Sequence, residues 1–342
     1  MVRGGANSQY EDKGDNADQC GQERWQLEPG FSERGNINFG GQLVVKPAIV
    51  LLPTNREHIS QKPRMSSFTI AVSSCALFKP EDGDTGVYRD KGAAFPFVQA
   101  LQMVNQHLED QSQAPENRFK IVLITTNGQD MAWLNKSEYN LNIAQICKVT
   151  KEKTVLDHLK DIKPILYLST NQQNVREAIN AGYGAATMFQ GKYLEQSNEM
   201  LRVAFDGDGV LFSDESERVF KEQGLEGFIQ NERTLEDTLL ELGPLKDFAG
   251  ALVNFQLLQQ NCPIRTYLIT SRGTNSPGIR ALKTLQKNLE INEAVFLSGA
   301  PKEPVLMAIN PHIFFDDKME HVQEARNNMV IAAHVPFGVR NE

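Results

Sequence analysis

From about residue 66 onward, short apolar runs closed by polar or glycine-rich turns alternate with longer stretches whose apolar residues recur at helical spacing. Ile121-Val-Leu-Ile124, Ile165-Leu-Tyr-Leu168, Val203-Ala-Phe205, Ile264-Arg-Thr-Tyr-Leu-Ile-Thr270, Ala294-Val-Phe-Leu297 and Ile313-Phe-Phe315 are too continuous to leave one face in water. They predict buried strands of a parallel sheet. Helical spacing is clearest in Leu235-Glu-Asp-Thr-Leu239-Leu240 and in Phe248-Ala-Gly-Ala-Leu252-Val253. Strand and helix in alternation predict an α/β protein. Residues 1–65 mix Gly, Asn, Gln, Glu and Arg without periodicity and predict a disordered or weakly structured segment, with a short strand near Ile49 and Leu52 as the one exception.

The pattern occurs twice in the same order. Ile70-Ala-Val-Ser-Ser-Cys-Ala-Leu-Phe78 lines up with Ala204-Phe-Asp-Gly-Asp-Gly-Val-Leu-Phe212, and Ile121-Val-Leu-Ile-Thr-Thr-Asn-Gly128 with Thr266-Tyr-Leu-Ile-Thr-Ser-Arg-Gly273. Ile165-Leu-Tyr-Leu-Ser169, Val175-Arg-Glu-Ala178 and Ala185-Ala186 line up with His312-Ile-Phe-Phe-Asp316, Val322-Gln-Glu-Ala325 and Ala332-Ala333. This predicts two Rossmann-like halves, 66–195 and 196–342, meeting at a shared sheet edge or a dimer surface. Any two α/β units share strand-then-helix patterns, so unrelated halves are the competing explanation.

Chemistry concentrates in the second half. Asp206 and Asp208 stand two positions apart where a strand meets Gly207 and Gly209. Side chains at i and i+2 point the same way, so both carboxylates project beyond the strand's carboxyl end, where open α/β sheets place their ligands. An EF-hand calcium loop is the wrong explanation: Val210 and Leu211 stand where an oxygen ligand and the turn glycine belong. An ordinary solvated turn would serve if nothing followed, but Thr270, Lys302 and the pair Asp316-Asp317 follow at further strand ends. Two acidic clusters, a hydroxyl donor and an ammonium together suit a cation-assisted phosphate site.

These residues resemble the haloacid dehalogenase superfamily, whose motifs are Asp-x-Asp, Ser/Thr, Lys and an acidic pair. Phe205-Asp-Gly-Asp-Gly-Val-Leu-Phe-Ser-Asp-Glu-Ser-Glu-Arg218, Pro263-Ile-Arg-Thr-Tyr-Leu268, Gly299-Ala-Pro-Lys302, Pro311-His-Ile-Phe-Phe-Asp-Asp317 and Ala332-Ala-His-Val-Pro-Phe-Gly338 are similar, more narrowly, to the AMP-preferring cytosolic 5′-nucleotidase I family. Upstream, Ile70-Ala-Val-Ser-Ser74 and Ala94-Phe-Pro-Phe-Val98 share the resemblance, which covers residues 66–340. Ser271-Arg272-Gly273 and residues 129–163 depart from it.

The resemblance implies a Rossmann-like haloacid dehalogenase core with a small helical cap at about 213–262, preceded by a degenerate Rossmann-like half in which Val72, Ser74, Ser169 and Thr170 replace the acidic residues. It further implies hydrolysis of nucleoside 5′-monophosphates, AMP foremost and IMP or deoxynucleotides besides, with Mg²⁺ as cofactor. Asp206 would be the nucleophile and Asp208 the acid and base, while Thr270 and Lys302 stabilise the transferring phosphoryl group. Asp206, the Asp208 backbone carbonyl, Asp316 and Asp317 would hold the metal. Gly207, Gly209, Ser271 and Arg272 would bind substrate. The competing functions are a phosphatase of the same fold acting on a sugar phosphate or phosphoprotein, and a regulatory nucleotide-binding protein.

Composition narrows the partners. A net charge of −8 without a Lys/Arg run argues against nucleic acid, and the only apolar stretch near the start, residues 44–52, is broken by Pro47 and too short to span a bilayer. Cys20, Cys75, Cys147 and Cys262 are scattered without metal or disulfide spacing. With no signal peptide in the first 25 residues, these features predict reduced thiols and a cytoplasmic location, with a homo-oligomer as the partner the silent half would favour.

Overall fold

The computed structural model describes residues 48–52, 67–80, 88–111, 118–126, 139, 141–197, 199–258 and 261–341. They belong to one compact unit, Val44–Glu342, so the expected boundary near residue 195 falls inside it. The expectation of disorder for residues 1–47 and 53–65, and Cys20 with it, lies outside the described residues.

The strands are β1 (Ala48–Leu51), β2 (Phe68–Ser73), β3 (Phe78–Pro80), β4 (Tyr88–Lys91), β5 (Phe119–Thr125), β6 (Gln145–Lys148), β7 (Leu166–Ser169), β8 (Ala185–Met188), β9 (Leu201–Phe205), β10 (Ile264–Thr270), β11 (Glu293–Phe296), β12 (Ile313–Asp316) and β13 (Ala332–His334). The helices are α1 (Ser74–Leu77), α2 (Phe95–Gln111), α3 (Val155–Ile162), α4 (Gln172–Asn180), α5 (Glu215–Thr234), α6 (Lys246–Leu258), α7 (Ser276–Asn288), α8 (Glu303–Ile309) and α9 (Met319–Asn327). Local signals set several boundaries. Thr154 and Asp157 form a capping box at the start of α3, and Pro277 occupies the first turn of α7, where its missing N–H costs nothing.

Among the described residues, eleven strands form a single sheet in the order β1-β11-β10-β9-β12-β13-β8-β7-β2-β5-β6. Two parallel arrays lie within it, β11-β10-β9-β12-β13 and β6-β5-β2-β7-β8. Each sets its first strand in the middle, its second and third to one side and its fourth and fifth to the other. The arrays meet in an antiparallel joint between β13 and β8, with Ala333 opposite Met188 and His334 opposite Thr187. Of the two uses expected for the joint between halves, the shared sheet edge is the one realised within the chain. Within residues 1–65, Ala48–Leu51 is ordered as an antiparallel edge strand on β11, where its backbone pairs with residues 293–296.

The interval 213–262, expected to form a cap, does two jobs. Its second helix, α6, lies on the sheet: the Phe248 ring sits 6.1 Å from Phe97, 6.0 Å from Phe205 and 5.9 Å from Phe315. Phe255 of the same helix reaches Phe119 of β5 at 4.5 Å, so α6 ties the two arrays together across their faces. Of the described residues in this interval, those that line the pocket described below belong to α5.

Candidate active site

In the second array β9 lies between β10 and β12, so the chain leaves to opposite sides of the sheet and opens a crevice at the strands' carboxyl ends. Register does the rest. Phe205 pairs with both Leu268 and Phe315, which places Asp206 opposite Asp316 and Thr270 just beyond. The Asp206 amide donates to the Phe315 carbonyl at 2.8 Å. The Gly207 carbonyl then closes the turn by accepting from the amides of Val210, Leu211 and Phe212. Gly209 has φ 76°, and a Cβ there would lie 2.7 Å from Asp317 Cγ. Only glycine tolerates both the backbone conformation and the approach to that carboxylate.

Lys302, at the start of α8, reaches between the strand ends: its Nζ is 2.7 Å from Asp206 Oδ1 and 2.7 Å from Asp316 Oδ2. All three groups are buried. Burial alone would weaken the Lys302 ammonium, but the two carboxylates outweigh it and raise its pKa. For Asp316 burial likewise opposes ionisation, yet Lys302 and the His321 ring hold its pKa at about 2. Both oxygens of Asp316 are committed, to Lys302, to the Lys318 amide at 2.8 Å and to His321 Nδ1 at 3.0 and 3.2 Å.

Asp317 is different. It is buried, its Oδ1 has no hydrogen-bond partner among the described residues, and burial followed by the Asp206 and Asp316 charges pushes its carboxyl well above the usual range. Burial and the Asp316 charge also push Asp206 up, against the pull of Lys302. An orphaned carboxylate oxygen beside a second carboxylate, walled by the Gly209 backbone, is a donor set that suits a hard divalent cation and is costly without one. Asp206, Asp316 and His321 also bring one ligand atom each within 4.8 Å of one another. That grouping already contains the Lys302 ammonium, so the residues present fit a cation better on the Asp206–Asp317 side.

Asp208 lines the pocket, with its carboxylate held by Arg272 through Nε–Oδ2 at 2.9 Å and Nη2–Oδ1 at 2.7 Å. Arg272 also donates from Nη1 to Glu232 at 2.7 Å and to the Pro277 carbonyl at 3.0 Å, and from Nη2 to Ser216 at 2.7 Å. A guanidinium has five N–H donors and all are taken. Arg272, expected to bind substrate, therefore has no donor left for a ligand and serves to hold Asp208. Ser271 remains on the pocket wall beside Thr270, whose hydroxyl accepts from the Arg272 amide at 3.2 Å. Gly207 packs so closely that a Cβ would meet Thr270 Oγ1 at 3.2 Å.

The cleft above these groups has a volume of about 650 Å³. One flank is polar, formed by the strand ends, and the other is apolar, formed by Phe220, Leu225, Phe228 and Ile229 of α5. Phe220 and Phe228 meet edge to face at 6.4 Å, and Phe220 remains 41% exposed. Sequence reasoning missed Lys318, His321 and Glu232. Lys318 ion-pairs with Glu217 at 3.0 Å on the pocket rim and could have been flagged as the residue next to Asp317. The other two lie on helices with no sequence signal separating them from a solvated face.

A family model described as 5′-nucleotidase matches residues 60–342, a span that contains every one of these site residues. The chain belongs to the 5′-nucleotidase family. It is 43% identical over 302 residues to human cytosolic 5′-nucleotidase 1B, covering 80% of this chain and 49% of that protein, so it spans about half the length of that relative. Among the described residues no helix is long and apolar enough to cross a membrane.

Proposed function

We propose that the chain hydrolyses nucleoside 5′-monophosphates, AMP foremost, as a Mg²⁺-dependent cytosolic enzyme. The observation that carries this reading is the meeting of Asp206, Thr270, Lys302 and the Asp316-Asp317 pair at three adjacent strand ends beneath an apolar flank that suits a flat base. The shared strand order of the two arrays supports a haloacid dehalogenase-like catalytic half, 196–342, beside a silent copy, 66–195.

In this mechanism Asp206 attacks the phosphorus in line, the ester bond to the ribose 5′ oxygen breaks, and an aspartyl-phosphate forms. Asp208, having taken up a proton as the substrate phosphate binds, gives it to the departing oxygen and then takes one from the water that attacks the aspartyl-phosphate, releasing phosphate and restoring Asp206. Thr270 donates to a phosphoryl oxygen, and the Lys302 ammonium balances charge gathering on the transferred group. Asp206, Asp317 and the Asp208 backbone carbonyl would hold Mg²⁺, which when bound offsets the repulsion between a carboxylate nucleophile and a phosphate dianion.

Phosphate release from a panel of nucleotides and sugar phosphates, with and without Mg²⁺, tests the reading. Ribose 5-phosphate carries nearly the same ester as AMP but no base to rest on α5. Its kcat/KM is expected to be at least about a hundredfold lower, equivalent to about 2.7 kcal/mol. Comparable values would replace the nucleotidase reading with a general sugar-phosphate phosphatase.

A further inference from the structure

We propose that Glu232 is a positioning residue for proton transfer: from α5 it fixes Arg272, and through Arg272 the orientation of the Asp208 carboxyl. This rests on the reading of Asp208 as acid and base given above.

The geometry begins with the shape of α5. Gly224 has φ 67° and ψ −167°, and a Cβ there would meet nothing within 4 Å, so the glycine serves the backbone rather than the packing. It breaks α5 into two helical segments that fold back on each other. In a straight helix Ser216 and Glu232 would be about 24 Å apart; here the Ser216 hydroxyl donates to Glu232 Oε1 at 2.8 Å. Both residues are buried and both hold Arg272. The two segments of α5 that wall the pocket are thus clasped to the cation that grips Asp208.

Charge explains why Glu232 is needed. Asp208, Arg272, Glu232, Arg280 and Glu215 form an alternating chain in which Arg280 bonds Glu232 at 3.0 Å and Glu215 at 2.5 Å. Arg272 and Glu232 are almost fully enclosed, where a charge is tolerated only with partners on more than one side. With Glu232 present the guanidinium is pinned from both ends, so the Asp208 carboxyl it holds has one seat at the pocket wall. Without that anion Arg272 keeps, among the described residues, Asp208 as its one charged partner, and the two can shift as a pair away from the line of the ester bond. Anchoring α5 against α7 would need only the Arg280–Glu232 bond. The bidentate grip on Asp208 gives Glu232 a role beyond that anchor.

The test separates proton transfer from structure by the leaving group. AMP needs a proton on its departing 5′ oxygen; adenosine 5′-phosphorothiolate, with sulfur in the bridging position, expels a thiolate that needs none. Both carry the same nucleoside, and kcat/KM reports only the steps up to its departure. Glu232→Gln is expected to lose at least tenfold in kcat/KM on AMP and less than threefold on the thiolate. Ser216→Ala, which keeps every charge, should show the same pattern at two- to fivefold and carries the test if Glu232→Gln does not fold. Equal losses on both substrates, or no loss on AMP, would overturn the proposal. If the wild-type chain turns over the thiolate but not AMP, the nucleotidase reading fails first, and the proton-transfer role with it.

Discussion

Replacing Lys302 with Met keeps most of the side chain's length and volume but deletes the ammonium that stands 2.7 Å from both Asp206 and Asp316. Removing one partner from a buried ionic group leaves uncompensated charge and costs roughly 3–5 kcal/mol. The pH dependence makes the prediction specific. In the wild type the Asp316 carboxyl, held at about 2 against an ordinary 3.8, stabilises the fold above pH 3.8 and loses that contribution as the pH falls toward 2. A displacement of that size is worth about 2 kcal/mol. In Lys302→Met the sign reverses: burial and the neighbouring carboxylate raise the folded-state pKa, so the variant regains stability as the pH falls from 7 toward that raised value. Urea denaturation in EDTA at pH 7 and pH 5 is the assay. The deficit relative to wild type is expected to be at least about 3 kcal/mol at pH 7 and to shrink by about 1 kcal/mol or more at pH 5. A deficit under about 1 kcal/mol at pH 7, or one that is the same at both pH values, would refute the claim that Lys302 is the counter-charge of this pair.

Asp206→Asn keeps the size of the proposed nucleophile while removing its charge and one of the proposed metal ligands. The kcat is expected to fall below about a hundredth of wild type with the circular dichroism unchanged, and a larger residual rate would favour direct attack by water. Replacing Ser74 and Thr170 together by Ala should leave turnover within about twofold, since the buried Ser74 hydroxyl donates to Thr125 at 3.2 Å within the first array and neither residue lines the cleft. Catalytic loss in a well-folded double variant would draw that array into the site. His312 accepts the Arg202 amide on Nδ1, so its proton sits on Nε2, facing the Ser197 carbonyl. Burial, then the Arg202 charge, lowers its pKa from 6.5 to about 4. Its stabilising neutral form is therefore complete above pH 6.5 and lost as the pH falls through 6.5 to 4, by about 3 kcal/mol in all. His312→Gln should flatten the stability profile in that window, and an unchanged slope would count against the assignment.

The strand ends were legible because their signals are local. A continuous apolar run ending in Asp206-Gly-Asp208 or Asp316-Asp317 declares a buried parallel strand and the charge beyond it within ten residues. What sequence could not show depends on partners far along the chain. Arg272 looked like a ligand-binding arginine because nothing nearby hints that Glu232, forty residues upstream, consumes its charge. Apolar spacing identified the helix around Phe248, but spacing does not say which surface a helix covers, so a core helix passed for part of a cap. As expected metal ligands, Asp316 and Asp317 were equivalent on paper. Their hydrogen bonds distinguish them, since one is saturated by Lys302, Lys318 and His321 while the other keeps an unpaired oxygen.

The first array has a physical purpose apart from any chemistry. Asp206, Lys302, Asp316, Asp317, Arg272 and Glu232 are six buried ionisable groups at one end of one array, a set whose desolvation cost can exceed what its pairing returns. At the equivalent strand ends of the first array stand Ser74, Thr125 and Ser169, neutral groups that close on one another or on the backbone at little cost. The antiparallel joint of β13 to β8 makes the two arrays one sheet, and α6 buries Phe248 and Phe255 across both. Apolar burial in the first array thereby offsets the cost of a charged site that lies in the second. The expectation follows that 196–342 expressed alone is less stable than in the full chain, because His334 and Ala333 would lose their ladder partners and Phe248 its contact with Phe97.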